Sequence, residues 1–364
     1  MKVPFLDLRV TNKTERMELL AAVNAVLRHG RIVLGPEVLR LENTVARLCG
    51  RKYAVAVNSG TDALFLTLKA LGIGAGDEVI TTSLSWIATA NAIALTGATP
   101  VFADIRDDLN IDPLSVKLLI TRKTKVILPV HYTGKVCEMK ELLEIAKMNR
   151  LVIVEDAAQS FGALYGGRVA GSFGIAACFS MNPMKVLAAC GEAGIIVMDK
   201  KDIRERLVAL RYNGTVNRET CIEPSLNGRI DTIQAAILLK RLLRVKCIIK
   251  KRRQIAASYS KKLDGIVETP REAKGERDVY YTYTIRADRR DELKDYLQSR
   301  GIETRIQHPY LMPQQPAYRR GRRGEFANAE RLYKRILCIP VNEKLNRNQV
   351  DFVAASIKKF YTKT

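Results

Sequence analysis

The chain has 364 residues, 47% hydrophobic and 27% charged, and carries a formal net charge of +22 from 60 Lys+Arg against 38 Asp+Glu. That is the composition of a globular protein with a large core, and a chain of this length is expected to divide into two domains. No stretch approaches the ~18 uncharged apolar residues of a membrane span, and scattered cysteines without a C-x-x-C pair, beside only three histidines, point to neither a disulfide framework nor a zinc site.

The first residues, Met1-Lys-Val-Pro-Phe-Leu-Asp-Leu8, meet an acid before a signal-peptide core can form, so a cytoplasmic protein is expected. Seven apolar runs then read as short buried strands: Tyr53 to Asn58, Glu78 to Thr81, Pro100 to Ala103, Val126 to Val130, Leu151 to Glu155, Cys178 to Ser180 and Ile195 to Met198. Helical patterns such as Asp62 to Ala70 and Glu138 to Lys147 lie between several of them. This alternation predicts an α/β fold with a mostly parallel sheet covered by helices, in which ligands gather beyond the carboxyl ends of the strands. From Asp231 a long apolar and basic helix is expected to run toward Tyr259 as a bridge. Beyond it a smaller α+β unit should follow, with a strand over Tyr280 to Arg286 and a helix over Arg290 to Arg300. The expected division is a large domain over 1–240, including the amino-terminal segment, and a small one over 241–364.

The positive charge is concentrated in the second part, where residues 241–364 hold 30 Lys+Arg against 14 Asp+Glu, a net +16. Such a surface invites a nucleic-acid reading, but no recognition motif accompanies it. Solubility or attraction of phosphorylated substrates explains it without one.

Three sites point to chemistry at the strand ends. In Asn58-Ser-Gly-Thr-Asp-Ala-Leu64 a strand runs through Ser-Gly-Thr into a helix, so the backbone N–H groups of Gly60, Thr61 and Asp62 form either a phosphate cradle or an ordinary N-cap. Asp156 ends a strand at the same edge, where an ionised carboxylate can hold the ring nitrogen of pyridoxal 5′-phosphate (PLP) protonated; Gln159 lies three residues on, within reach of the ring's phenolic oxygen. Glu155 should turn away into a structural contact. Lys185 stands among Pro183, Met184, Val186, Leu187, Ala188 and Ala189, an unusual setting for a solvated lysine and a suitable one for an amine that forms a Schiff base, with Ser180 five residues earlier to bind phosphate. The single tryptophan, Trp86, either stacks on a flat cofactor or packs in the core, and His131 lies just past a strand at the same edge.

Taken together, Val3-Pro-Phe-Leu-Asp-Leu8, Leu34-Gly-Pro-Glu37, Ser59-Gly-Thr-Asp-Ala-Leu64, Gly76-Asp-Glu-Val79, Ala88-Thr-Ala-Asn-Ala-Ile93, Gly97-Ala-Thr-Pro100, Glu155-Asp-Ala-Ala-Gln159 and the Lys185 loop resemble, in order, the DegT/DnrJ/EryC1/StrS sugar aminotransferases, PLP enzymes of fold type I. The resemblance implies that Lys185 bonds to the cofactor, Asp156 pairs with its pyridine nitrogen, Gln159 meets its phenolic oxygen and Trp86 stacks on it. It also implies that Gly60, Thr61 and Ser180 hold the phosphate, with Asn227 crossing from the neighbouring subunit of a homodimer with shared active sites. The implied reaction moves an amino group from L-glutamate, through the pyridoxamine form of the cofactor (PMP), to a keto group of a nucleotide-linked deoxysugar. Gly191 follows Lys185 by six positions, a spacing similar to the branch acting at C-3 rather than C-4. Dehydrating or aromatising PLP chemistry on the same fold, and a basic non-catalytic regulator that binds nucleic acid, are the alternative readings.

Overall fold

The structure is a computed structural model and describes residues 1–319 and 324–362; part of the basic excess, at Arg320, Arg322, Arg323 and Lys363, lies outside the described residues. Seven strands form the main sheet: β1 (Tyr53–Val57), β2 (Glu78–Thr82), β3 (Thr99–Ala103), β4 (Thr124–Leu128), β5 (Val152–Asp156), β6 (Ala176–Ser180) and β7 (Gly194–Met198). Their order is β1-β7-β6-β5-β4-β2-β3, parallel throughout except for β7, which runs antiparallel to both neighbours. Because β7 alone is reversed, the carboxyl ends of β1, β5 and β6 lie at one edge, and β7 starts there.

The apolar runs are continuous because both faces of the sheet are covered. Successive side chains point to opposite faces, so Ala54 and Ala56 enter one apolar layer with Val38, Leu41 and Val45 of the helix Pro36–Leu48. Val55 and Val57 enter the other, with Leu64, Leu66 and Leu68 of the helix Gly60–Ala70. Ile195 and Val197 divide from Ile196 and Met198 in the same way. Each layer is therefore fixed by alternate residues of the same strands.

A third apolar layer joins Ile255, Tyr259 and Leu263 to Tyr283, Ile285, Leu293, Leu337, Ile339, Val353 and Ile357, and takes in Val3 from the amino terminus. Its two strands, β8 (Tyr283–Arg286) and β9 (Ile336–Ile339), pair antiparallel, with helices Val245–Leu263, Arg290–Ser299 and Arg347–Thr362 around them. A further cluster packs Leu311, Met312, Phe326 and Leu332 against Leu84, Phe102, Ile105 and Tyr132, tying this region back to the main sheet. None of the described helices is long and apolar enough to cross a membrane.

Two expected elements differ. The bridging helix is not continuous: Thr232–Leu242 ends where Leu243 and Arg244 donate to Lys240 and Arg241, closing three-residue turns in place of α-helical ones, and Val245–Leu263 starts a new axis. The strand expected from Tyr280 starts only at Tyr283, because Tyr280 sits at φ 49, outside the extended region.

Candidate active site

At the end of β1 the chain passes through extended Ser59 into the helix Gly60–Ala70, and the Ser59 hydroxyl accepts from Asp62 N–H at 3.0 Å. The N–H groups of Gly60 and Thr61 have no partner within the helix and form the positive end of its dipole. Ser180, at the end of β6, lies directly against them. A Cβ on Gly60 would sit 2.6 Å from Ser180 Cβ, so only glycine lets the helix start come this close. Between them lies Gly194, the first residue of β7 and partner of both Val57 and Ser180; a Cβ there would meet Ser59 O at 2.2 Å. Two glycines thus bring a hydroxyl and a helix N-terminus to one point, the cradle suggested by the sequence.

Along β5 the two carboxylates separate by the alternation of the strand. Asp156 is 3% exposed; its Oδ2 accepts from the Thr89 hydroxyl at 2.8 Å and its Oδ1 from Ala158 N–H at 3.2 Å. Burial raises its pKa above the ordinary aspartate value, while the Thr89 and Ala158 hydrogen bonds and the Lys185 charge work to hold it down. Glu155 points the other way and is fully buried. It accepts from the backbone N–H of Gly171, Phe173 and Gly174, each at 2.7 Å, and from His131 Nε2 at 3.0 Å. Burial acts to raise its pKa, but His131 and these backbone donors outweigh it and hold the carboxyl below the usual range. His131 Nδ1 accepts from Cys137 N–H at 3.2 Å, which leaves its proton on Nε2 facing Glu155. The imidazole is wholly buried behind the site and does not line the cavity.

Gln159 Oε1 accepts from Thr133 N–H at 2.9 Å. Its amide nitrogen is therefore the atom left to face the cavity, as a donor.

The loop after β6 is folded back on itself: Met181 N–H donates to Ala193 O, Ala189 N–H to Met181 O, and Lys185 N–H to Asn182 O. Val186 and Leu187 are buried as its anchors, and the Arg241 guanidinium caps it through Ala188 O and Ala189 O at 2.8 and 3.1 Å. Asn182 bonds Glu192 Oε1 through its amide at 2.6 Å. Lys185 emerges half-buried, with Nζ 4.4 Å from the centroid of the Tyr281 ring.

A cavity of about 630 Å³ is lined by Gly60, Thr61, Trp86, Asp156, Gln159, Ser180 and Lys185. Trp86 is 61% exposed and so forms a wall rather than core. Asn227 is not part of this cavity: it is exposed, and its Oδ1 accepts from Arg229 Nε at 2.7 Å. Among the further lining residues are Thr89, Tyr281, Arg305 and His308, none of which the sequence marks as a site residue. Thr89 lies inside a motif quoted above and Tyr281 inside the expected strand, but Arg305 and His308 come from a distant segment with no periodicity to mark them. His308 is 6% exposed, its ring 6.0 Å from that of Trp86, and its Nε2 has no hydrogen-bond partner among the described residues. Burial and the Lys185 charge push its imidazole down to about 3, so it is neutral at physiological pH.

The residues fit PLP. The Gly60–Ser180 contact leaves a concave set of N–H and hydroxyl donors for a phosphate, Asp156 offers a buried acceptor for a cationic ring nitrogen, Gln159 a donor, and Lys185 an amine opening on the same space.

Comparison with known proteins places the chain. Residues 13–358 match the DegT/DnrJ/EryC1/StrS aminotransferase family. A "Pleiotropic regulatory protein" of Geobacillus stearothermophilus is 37% identical, covering 99% of each chain. A dTDP-3-amino-3,4,6-trideoxy-alpha-D-glucose transaminase of Streptomyces venezuelae is 38% identical over 99% of this chain and 96% of its own. The crystal structure of S. venezuelae DesV in complex with a ketimine intermediate superposes with a TM-score of 0.95 at 39% identity, covering 99% of this chain and 98% of that one. With a match that begins before the first buried strand and ends within the last helix, the chain belongs to the DegT/DnrJ/EryC1/StrS aminotransferase family.

Proposed function

We propose that this PLP-dependent aminotransferase moves the amino group of L-glutamate to the C-3 keto group of a nucleotide-linked deoxysugar, in polysaccharide or amino-sugar biosynthesis. The reading rests above all on Lys185 and Asp156 lining one cavity with the Gly60–Ser180 cradle. The 3-amino product in the name of the S. venezuelae relative and the spacing from Lys185 to Gly191 favour C-3 over C-4.

When bound, the cofactor supplies an electron sink and stores the amino group between two half-reactions. Gly60 and Thr61 N–H and the Ser180 hydroxyl hold its phosphate at the positive end of the helix. Asp156, ionised, keeps a proton on the ring nitrogen, and the Gln159 amide donates to the phenolic oxygen. Trp86 covers the ring. Lys185 Nζ would take the proton from the glutamate α-carbon and return it on the cofactor side, after which hydrolysis by one water would release 2-oxoglutarate. In the second half Lys185 runs the same transfer backward, and the proton ends on the sugar carbon that receives the amine.

The assembly we propose is a cytoplasmic homodimer in which Asn227 of each protomer serves the cradle of its partner. Its exposed position away from its own cavity supports this, as does the helix Lys13–His29, which buries Leu19, Ala22 and Val26 while Met17, Leu20 and Leu27 on its outer side are 58–60% exposed. A division into large and small domains near residue 240 accords with the separate apolar layer around Tyr259 and Tyr283.

A second reading, a basic regulator on the same scaffold, is favoured by the name of the G. stearothermophilus relative and by the carboxy-terminal charge. A complete catalytic set in one cavity weighs against it. The test is optical: protein loaded with PLP should show an absorbance band that L-glutamate abolishes and that Lys185→Ala lacks. An unchanged spectrum on adding donor rejects aminotransfer, and incubation of the PMP form with matched 3-keto and 4-keto nucleotide sugars separates the two positions.

A further inference from the structure

Besides His308, three basic side chains line the cavity: Lys185, Arg252 and Arg305. Lys185 is the reacting amine. Arg252 is 3% exposed and fully engaged, with Nε and one terminal nitrogen on Glu343 at 3.2 and 3.1 Å and the other terminal nitrogen on Tyr280 O and Tyr281 O at 3.2 Å. Arg305 differs from both. It is exposed at the rim, makes no ion pair among the described residues, and donates from its guanidinium only to the Met184 thioether, at 3.6 Å, among them.

Its position is nonetheless fixed. Arg305 exchanges backbone hydrogen bonds with Cys338 of β9 at 3.0 and 2.8 Å, which ties its Cα to the small sheet. The amino-terminal segment runs alongside: Val3 donates to Gly301 O at 2.8 Å, Glu303 donates to Val3 O at 2.9 Å, and Phe5 N–H donates to Glu303 Oε2 at 3.1 Å. That pairing places the Phe5 ring beneath the guanidinium, 5.0 Å from centroid to Cζ. Held against the ring in this way, an arginine loses less freedom when it binds, and its guanidinium nitrogens other than the one on Met184 make no hydrogen bond among the described residues, which leaves them for a two-oxygen anion.

Two anions visit this cavity in the proposed reaction beyond the phosphate held by the cradle. The donor is small, and its reacting carbon must lie beside Lys185 and Asp156. The acceptor is long; with its keto carbon on the same floor, the phosphates that link sugar to nucleotide extend outward to the rim. Arg305 stands at that rim, beside Met184 of the Lys185 loop.

We infer that Arg305 is a specificity-determining residue for the acceptor, its guanidinium clasping the diphosphate of the nucleotide sugar. The inference rests on the acceptor class proposed above. It is tested on PLP-loaded wild type, Arg305→Ala and Arg305→Lys by calorimetric titration with UDP and dTDP, and separately by following the glutamate-driven spectral change. Losing a charge-assisted two-point contact should weaken nucleoside diphosphate binding at least ~10-fold in Arg305→Ala. Arg305→Lys, which keeps the charge but not the fork, should recover part of the loss. The glutamate concentration that half-saturates the spectral change should shift by less than about twofold, because that step does not involve the diphosphate. Equal nucleotide affinity in wild type and Arg305→Ala overturns the inference, as does a shift confined to glutamate, which would assign Arg305 to the donor carboxylate. Wild type that answers glutamate but binds neither nucleotide rejects the acceptor class and the inference with it. Arg305-dependent nucleotide binding without any response to glutamate leaves the inference standing and rejects the donor.

Discussion

The buried Asp156 carboxyl accepts two hydrogen bonds among the described residues, from Thr89 Oγ1 and Ala158 N–H, and this makes Thr89→Val an informative change. Valine matches threonine in shape, so the substitution removes a donor with little disturbance of packing. A hydrogen bond to an ionised group contributes about 1.5–3 kcal/mol, and one pKa unit corresponds to about 1.4 kcal/mol. The pKa of Asp156, already raised by burial, should therefore rise further. In the proposed mechanism the ionised form holds the ring nitrogen, and its population falls as the pKa climbs. The acidic limb of the glutamate-driven spectral change should thus move to higher pH by an amount that matches the loss of that hydrogen bond, about 1.5–3 kcal/mol, with the plateau above it retained. Rapid-mixing absorbance across a pH series reads this directly. Thr89→Ser should return the limb to its wild-type position, and Asp156→Asn should abolish the reaction at every pH. An unmoved limb in Thr89→Val, with Asp156→Asn inactive, would refute the claim that the threonine hydroxyl sustains this carboxylate.

Two more substitutions probe the frame. Glu155→Ala strands three backbone N–H groups and the His131 Nε2–H in the interior, and at ~1–3 kcal/mol for each orphaned donor, less what entering water recovers, stability should fall by roughly 4 kcal/mol or more in urea denaturation. A loss below about 1 kcal/mol would show that the network is not structural. Since the folded pKa of Glu155 is depressed, its stabilisation is complete above the ordinary glutamate value of about 4.3 and is lost as pH falls through the folded value. The variant should accordingly show a flatter acid limb of stability than wild type. Gly60→Ala drives a methyl group into Ser180 Cβ and Cα, at 2.6 and 3.0 Å, where strand backbone cannot yield; the helix start must shift, and PLP affinity should drop ~10-fold or more by fluorescence titration. Wild-type affinity in that variant would mean that the cradle lies elsewhere.

The seven buried strands were legible because each is a short apolar run bounded by polar turns, and Asp156 and Lys185 were legible because a carboxylate at a strand end and a lysine among apolar neighbours are each unusual. The direction of β7 was not. Both of its faces are buried, so nothing in Gly194–Met198 distinguishes a reversed strand from a parallel one. The break at Leu243 and Arg244 escaped notice because both residues are acceptable inside a helix, and Tyr280 because a positive φ leaves no mark on a tyrosine. Trp86 could not be assigned to wall or core from its type alone. Arg305 and His308 were missed for a different reason: they join the cavity only once β9 and the amino terminus have been brought alongside, a long-range event to which no local pattern corresponds.

The alternation along β5 turns its two carboxylates in opposite directions, one into the scaffold and one toward the cavity. A slip of the strand by one residue would exchange them, sending the longer acid into the cavity and the shorter one toward backbone donors it could not reach. Pairing with β4 on one side and β6 on the other forbids that slip. Here, chemistry and architecture cannot drift apart: an insertion or deletion within these five residues ends both at once. New substrate preferences should therefore arise by substitution around the entrance, where positions such as Arg305 are free to change while the floor stays as it is.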